Sequence, residues 1–196
     1  MHVRRAACAA ILVTAAATGC SSGAADSKAQ ERAPKHSSAP AASATAKAEA
    51  APLSLGAGRH WSDTDLDDTH VSGTTTVLSY TQPARDVDLG KEASDFAHPE
   101  WAVLEVKVCV DRSSSKVQVA QHPWALGFSD DTRISAPEIS GSGVPKPEYP
   151  VEGTIVSPGS CLRGKITFSV ERGTRPSQIV YAPEGREPIV WAVPKA

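Results

Sequence analysis

The sequence contains no asparagine, a single methionine and few aromatic residues. Without asparagine, the chain has no acceptor for Asn-linked glycosylation. Only 5% of its 196 residues are aromatic, so a hydrophobic core must consist mainly of Val, Ile and Leu. A basic surface is missing as well, because from Leu53 onward the chain has 14 Lys and Arg against 19 Asp and Glu, a net charge of −5. An acidic domain is repelled by phosphate backbones, so we expect no nucleic-acid partner.

A hydrophobic run long enough to span a membrane is also missing from the sequence. The longest run, residues 6–17, has 12 residues, whereas a membrane-spanning helix needs about 20. It follows a charged start containing Arg4 and Arg5, which is typical of a signal peptide. Ala17-Thr18-Gly19-Cys20 then resembles the lipobox of bacterial lipoproteins, with Ala17 where Leu is usual. The resemblance implies removal of residues 1–19 and attachment of a lipid to the Cys20 thiol.

The segment after this cysteine is of low complexity. Residues 20–52 consist mostly of Ala, Ser, Pro, Lys and Glu, with almost no large apolar side chain. Such a segment cannot bury enough surface to offset its loss of conformational entropy, so we expect a disordered tether. The many Ala, Arg and Gly residues suggest a GC-rich genome, and we expect a protein anchored on the outer face of the cytoplasmic membrane of a Gram-positive bacterium.

Residues 53–196 have the pattern of an all-β domain. Short runs rich in Val, Ile and Thr alternate with turn residues, and no stretch has the 3.6-residue period of a helix. The clearest strands are predicted at 101–111 and 161–170, where apolar and polar residues alternate. Asp130-Asp131 and Ser157-Pro158-Gly159-Ser160 are predicted turns. About seven to nine strands in 144 residues predict an immunoglobulin-like β-sandwich.

Two of the four cysteines remain in this domain once Cys8 and Cys20 are set aside. In an exported protein, Cys109 and Cys161 are expected to form a disulfide, because they allow only one connectivity. A soft metal site is the alternative, but neither cysteine has His or Met close in sequence. Both cysteines alternate with the apolar residues of their strands. We therefore predict a bridge on the solvent side of a sheet or at a strand end, and not one that crosses the core.

Two segments carry a resemblance to a known class of proteins. WAVLEVKVCVD, from Trp101, and SPGSCLRGKITFSVERGTRPSQIVYAP, from Ser157, resemble actinobacterial lipoproteins with a telokin-like, immunoglobulin-like domain. This class is largely of unknown function and includes a secreted mycobacterial antigen. The resemblance spans about residues 101–193 and implies the sandwich fold with a disulfide between the two cysteines. It implies no catalytic residues, because none are established for the class.

Several groups of residues are candidates for binding. Asp63, Asp65 and Asp67 imitate the first half of a calcium loop, although Asp68 replaces the required Gly and Thr74 replaces the terminal Glu. Four domain histidines form no paired zinc motif, namely His60, His70, His98 and His122. Trp101 and Trp124 are the tryptophans expected at the surface, where they would form a platform for a peptide or glycan, whereas Trp191 alternates with apolar residues and is expected in the core.

No group of residues has the spacing of a catalytic site. The serines of residues 140–143 and Ser157 lie in loop and turn sequences that do not match a nucleophile elbow. We therefore predict a non-enzymatic binding module with no cofactor, which interacts with the membrane through its lipid and with a protein or glycan of the cell envelope. The alternatives are a metal-binding envelope protein that uses the acidic loop and histidines, and a cell-wall hydrolase or an inhibitor of one.

Overall fold

The computed structural model describes residues 50–64 and 67–195. The expected signal peptide, the expected lipidation site Cys20, most of the expected tether and Asp65 lie outside the described residues. The described residues form ten strands, one three-residue 3-10 helix at Lys91–Ala93 and no α-helix. The strands are β1 (Gly58–Thr64), β2 (His70–Thr81), β3 (Pro99–Val110), β4 (Val117–Val119), β5 (Trp124–Gly127), β6 (Arg133–Ser135), β7 (Thr154–Val156), β8 (Cys161–Glu171), β9 (Gln178–Tyr181) and β10 (Ile189–Ala192). The described part of the chain has no helix of the length and apolarity that a membrane crossing requires.

The strands form two four-stranded antiparallel sheets and one small sheet. The first large sheet has the order β1-β2-β3-β8, and the second has the order β10-β9-β5-β6. The chain passes from the first sheet to the second, returns for β8 and ends in the second with β9 and β10, as in a Greek-key sandwich. The pair β4-β7 forms the small sheet. The predicted all-β sandwich is confirmed, with ten strands in the described residues where about seven to nine were predicted.

The core lies between the inner faces of the two large sheets. On β3, Leu104, Val106 and Val108 are fully buried, and on β8, Ile166 and Phe168 are fully buried. These residues lie at alternate positions, because side chains of a strand alternate between its two faces. The apolar faces predicted from the alternation on these two strands are therefore the faces that form the core.

The opposite face of the first sheet is covered at one end. Thr167 and Ser169 of β8 share the predicted polar face, yet they are only 4% and 8% exposed. The segment between β2 and β3 reaches Ser169, where the hydroxyl groups of Ser94 and Ser169 form a hydrogen bond. The alternation assigns these two residues to the polar face but does not indicate their burial, because it cannot show which loop folds over a sheet.

The disulfide joins Cys109 to Cys161, which are directly paired residues of β3 and β8. Cys161 is exposed and Cys109 is half-buried, and the pair lies at the end of the β3-β8 ladder. The predicted bridge is thus confirmed in its pairing and in its place on the solvent side. It links neighbouring strands of one sheet.

Both predicted turns are present. Ser157 accepts a backbone hydrogen bond from Ser160, with Gly159 at a positive φ of 73° that favours glycine. In the turn between β5 and β6, Asp131 adopts a φ of 65° and the Asp130 carboxylate accepts a hydrogen bond from the Thr132 hydroxyl. Asp tolerates this left-handed conformation better than most residues do, so the turn forms without glycine.

Candidate functional site

The edge strand β1 forms one wall of the candidate site. This strand was not predicted, because its sequence GRHWSDT reads as polar loop followed by an acidic segment. It pairs along its whole length with β2, from Gly58 opposite Thr76 to Thr64 opposite His70. By strand alternation, Arg59, Trp61 and Asp63 share the inner face, whereas His60 and Ser62 lie on the outer face.

Trp61 is fixed against β2 by a close approach and a hydrogen bond. Its indole Nε1 donates to Thr75 Oγ1 at 2.9 Å. The indole ring covers Gly73, where a Cβ would lie only 2.7 Å from the ring and 2.4 Å from the Cys109 carbonyl oxygen. The glycine in the middle of this strand is therefore required by the tryptophan above it and by the neighbouring strand.

Arg186 connects the loop between β9 and β10 to this wall. Its guanidinium lies over the Trp61 ring, 4.8 Å from the ring centroid, and its Nε is 3.1 Å from Asp63 Oδ2. A cation over an aromatic face is attracted by the ring quadrupole, and the carboxylate neutralises the same charge. Arg186 thus holds the loop beside β1.

Between β1 and this loop lies an open cleft of about 840 Å³. Its walls come from β1, from the loop before β10 and the start of β10, from one residue of β6 and from two residues of β9. Ala50 and Ala51 also line it. Shortly after these alanines, Leu53 is hydrogen-bonded to the edge of β10. Its carbonyl oxygen accepts from the Ala192 N–H and its N–H donates to the Val190 carbonyl oxygen, both at 2.8 Å.

The charges in the cleft are predominantly positive. Three arginines line it, and one of them, Arg186, is neutralised by Asp63. None of the described residues forms an ion pair with the other two, Arg59 and Arg133, and both side chains are exposed. Glu187 is the other lining carboxylate and has its own interaction partner. Two arginines are therefore available to an anion, within a domain whose net charge is negative.

Tyr181 lines the cleft from the second sheet and is 6% exposed. Burial raises the pKa of its phenol, so the group stays a neutral hydroxyl at physiological pH. Its ring packs on Trp124 with centroids 4.6 Å apart. The cleft is therefore lined by an aromatic residue that packs against the core.

A second pair of titratable residues lies on the outer face of β1. His60 Nε2 is 2.8 Å from Asp111 Oδ2, although the two residues are 51 positions apart in sequence. The hydrogen bond from His60, followed by one from Ser72, lowers the pKa of Asp111. No described hydroxyl group bonds to the His60 ring, so the pair lacks the serine that a hydrolytic triad requires.

The tryptophans expected at the surface do not form a site. The expectation for Trp124 was wrong, since it is fully buried between Tyr149, Tyr181 and Trp191. Trp101 is half-buried and lies opposite Ser169, near the end of the sheet far from Asp63. Trp191 is fully buried, as predicted.

The acidic residues and histidines that were candidate metal ligands are dispersed. Asp63 lies in β1 and pairs with Arg186, while Asp67 lies in the turn between β1 and β2 and has another partner. His98 pairs with Glu171 on the opposite part of the fold. Among the described residues there is no group of three His, Cys, Asp or Glu side chains that is arranged to hold a metal ion.

The sequence analysis missed two cleft residues of β1, Arg59 and Trp61, and assigned Asp63 to a different candidate site. These three residues are separated by two positions each, the spacing of one face of a strand. That alternation was present in the sequence, but it mixes charges of both signs with one aromatic residue. Hydrophobic periodicity therefore could not detect it.

The fold is shared with a solved structure. No protein-family model matches the chain, and no curated protein sequence is significantly similar to it. The crystal structure of MPT63, a secreted protein from Mycobacterium tuberculosis, aligns with a TM-score of 0.52 and 20% sequence identity. The alignment covers 74% of this chain and all of MPT63. At this identity the similarity shows a common fold, the β-sandwich described above.

Proposed function

We propose that this chain is an exported, lipid-anchored binding module of a bacterial cell envelope, and that it binds an anionic ligand in the cleft beside β1. The observation that carries the proposal is the pair of arginines without ion-pair partners among the described residues, Arg59 and Arg133, in an open cleft of about 840 Å³. The cleft also provides apolar contact through Trp61, Ile189 and Val190, and such a mixture of apolar wall and few polar groups is usual for ligand sites.

Support for export comes from two independent features. The short apolar run before Cys20 has the length of a signal peptide, and the Cys109–Cys161 disulfide requires an oxidising compartment. The similarity to a secreted protein agrees with both. A lipid on Cys20 would keep the domain near the membrane, where polyanions and acidic proteins of the envelope are accessible to the cleft.

Binding is tested with two soluble polyanions of different chemistry, poly-glutamate and polygalacturonate, titrated calorimetrically into the purified full chain. We expect binding that weakens as salt increases, because exposed charge pairs are screened. The double variant Arg59→Gln, Arg133→Gln should lose about tenfold or more in affinity, since each exposed pair contributes up to about 1 kcal/mol. The matched control, Arg112→Gln with Arg172→Gln, removes the same net charge outside the cleft and should bind as the unmodified chain does. Equal losses in both double variants, or no heat with either polymer, would contradict the proposal.

Anchoring is tested separately, by mass spectrometry of the N-terminal peptide from the native host. The expected peptide begins at Cys20 and carries acyl chains. Cys20→Ala should release the protein from membranes into the medium. Recovery of an unmodified N-terminus that still includes residues 1–19 would refute the anchoring and leave the cleft hypothesis intact.

A further inference from the structure

The free edge of β1 borders the cleft. Among the described residues, β1 is the terminal strand of its sheet and pairs on one side only, with β2. Its register with β2 runs without a bulge over seven residues, and the strand contains neither proline nor lysine. Edge strands that are protected from pairing are typically short, bulged, or carry such residues. β1 has none of these three features. Arg59 and Asp63 do place charges on its inner face, and such charges discourage the addition of an apolar strand.

The hydrogen bonds of β2 determine which backbone groups of β1 point outward. The carbonyl oxygen of Ser72 accepts from the Asp111 N–H, on the side of β3. Backbone groups point to alternate sides along an antiparallel strand, so Gly73 bonds toward β1, where it pairs with Trp61. The N–H and C=O of Trp61 therefore point toward β2, and those of the next residues on either side point away from the sheet.

The outward groups belong to His60 and Ser62. No backbone hydrogen bond of β1 outside its ladder with β2 is formed among the described residues. Both residues line the cleft. The cleft thus presents the backbone N–H and C=O groups of two alternate residues of a strand, which is the spacing at which an added strand forms hydrogen bonds. The cationic side chains of its walls lie beside these groups.

We propose that the ligand is an extended, acidic polypeptide segment that adds to the first sheet as a further strand, antiparallel to β1. This inference rests on the proposed function and names the chemistry of its ligand. Main-chain hydrogen bonds to His60 and Ser62 would provide affinity, and alternate side chains would provide specificity. A residue opposite Arg59 projects to the same face as Arg59, so a carboxylate belongs at that position of the ligand.

The geometry separates two sets of ligand residues. Residues opposite His60 and Ser62 exchange hydrogen bonds with them, and their side chains lie on the outer face. Residues opposite Arg59 and Trp61 carry the inner-face carboxylates, and their own N–H groups point away from β1. In a ligand of alternating Glu and Thr, the Thr amides should therefore bond to β1, and the Glu amides should not.

The test uses a ten-residue alternating Glu-Thr peptide with blocked ends, and two versions that are N-methylated at either the central Thr or the central Glu residues. We expect methylation at Thr to weaken binding by about tenfold or more, because two backbone hydrogen bonds are lost. Methylation at Glu should leave the affinity within about twofold. Equal affinities of the two methylated peptides would overturn the strand-addition model.

Two measurements on the protein complete the test. The Ser62→Pro variant lacks an outward N–H and should bind the unmethylated peptide about tenfold more weakly. The control variant Ser62→Ala keeps this N–H and should bind the peptide with unchanged affinity. Because proline could disturb folding, hydrogen exchange of the unmodified chain provides an independent reading. The amides of His60 and Ser62 should exchange at least about tenfold more slowly when the peptide is bound.

The outcomes separate this inference from the proposed function. If polygalacturonate binds in an Arg59-dependent way and the peptide does not, the anionic site stands and strand addition is wrong. The amides of His60 and Ser62 could instead be protected from exchange without peptide, at concentrations where the chain dimerises. In that case the edge of β1 pairs with a second copy of the chain, and the inference is overturned. Slow exchange only with peptide, together with the methylation difference, supports it.

Discussion

Loss of the disulfide should destabilise the domain without changing its fold. The perturbation is the double variant Cys109→Ser, Cys161→Ser. The two cysteines lie 52 residues apart in sequence and join strands that are already paired over eleven positions, so the native register does not depend on the bridge. Because Cys161 is exposed and Cys109 is half-buried, the serines bury little additional polar surface. The loss of stability should therefore arise mainly because the unfolded chain without the bridge has more conformational entropy.

The magnitude follows from the length of the closed loop. On the chain-entropy model, a loop of this length stabilises the folded state by about 4 kcal/mol. For a folded unit of this size, 1 kcal/mol shifts the melting temperature by about 3 °C, so the variant should melt about 12 °C lower.

The assay is chemical denaturation followed by tryptophan fluorescence, in which the fully buried Trp124 and Trp191 report on the core. We expect a lower midpoint with a native baseline like that of the unmodified chain. The reasoning would be refuted by a change below about 1 kcal/mol, which is much less than the entropic effect. A non-native baseline before unfolding would also refute it, because the bridge would then be needed for strand pairing.

Three further predictions concern single residues. Trp124→Ala should lower the free energy of unfolding by about 3–5 kcal/mol, against about 1–2 kcal/mol for Trp101→Ala, and similar losses in denaturation experiments would contradict the burial described above. Gly73→Ala should cost about 1–3 kcal/mol and shift the fluorescence of the indole that covers it, since the new methyl group has no space. The pKa of Asp111 is lowered in the folded state, so its contribution to stability is present above the unfolded pKa and is lost as the pH falls through the folded pKa. In an NMR titration of the Asp111 carboxylate, the midpoint should lie below 3.8 in the unmodified chain and should be higher in the His60→Ala variant. The same midpoint in both proteins would show that the hydrogen bond from His60 does not lower the pKa.

The sequence predicted the parts of the fold that depend on local alternation. Leu104, Val106 and Val108 are spaced by two positions and face one core. The same rule placed Cys109 on the other face, and this led to the correct prediction of a bridge on the solvent side. Where burial is decided by the strand itself, periodicity is sufficient.

Burial that depends on distant segments could not be predicted. Trp124 follows a proline at the start of a short strand, which suggested a surface position. In the fold, Tyr149, Tyr181 and Trp191 surround it, and they lie 25 to 67 positions further along the chain. In the same way, Ser169 is covered by a loop that begins more than 70 residues earlier. No local pattern carries such information.

The candidate site is of this second kind. Its arginines come from three separate elements: Arg59 from β1, Arg133 from β6 and Arg186 from the loop before β10. Each one alone reads as an ordinary solvated charge. Asp63, one of the candidate calcium ligands of the sequence analysis, neutralises one of these arginines. The charge pattern of the site therefore exists only after the two sheets have packed.

The few aromatic residues of the chain explain why this end of the sandwich can support a binding site. Trp124, Trp191 and Tyr181 pack together with centroids 4.6–6.0 Å from Trp124, and Tyr181 also forms the base of the cleft. Aromatic packing of this kind is rigid, so the base is held by the core itself. The loop wall, by contrast, is fixed to β1 through the ion pair and ring contact of Arg186. The core on one side and Arg186 on the other thus hold the walls of the cleft in place beside the edge of β1.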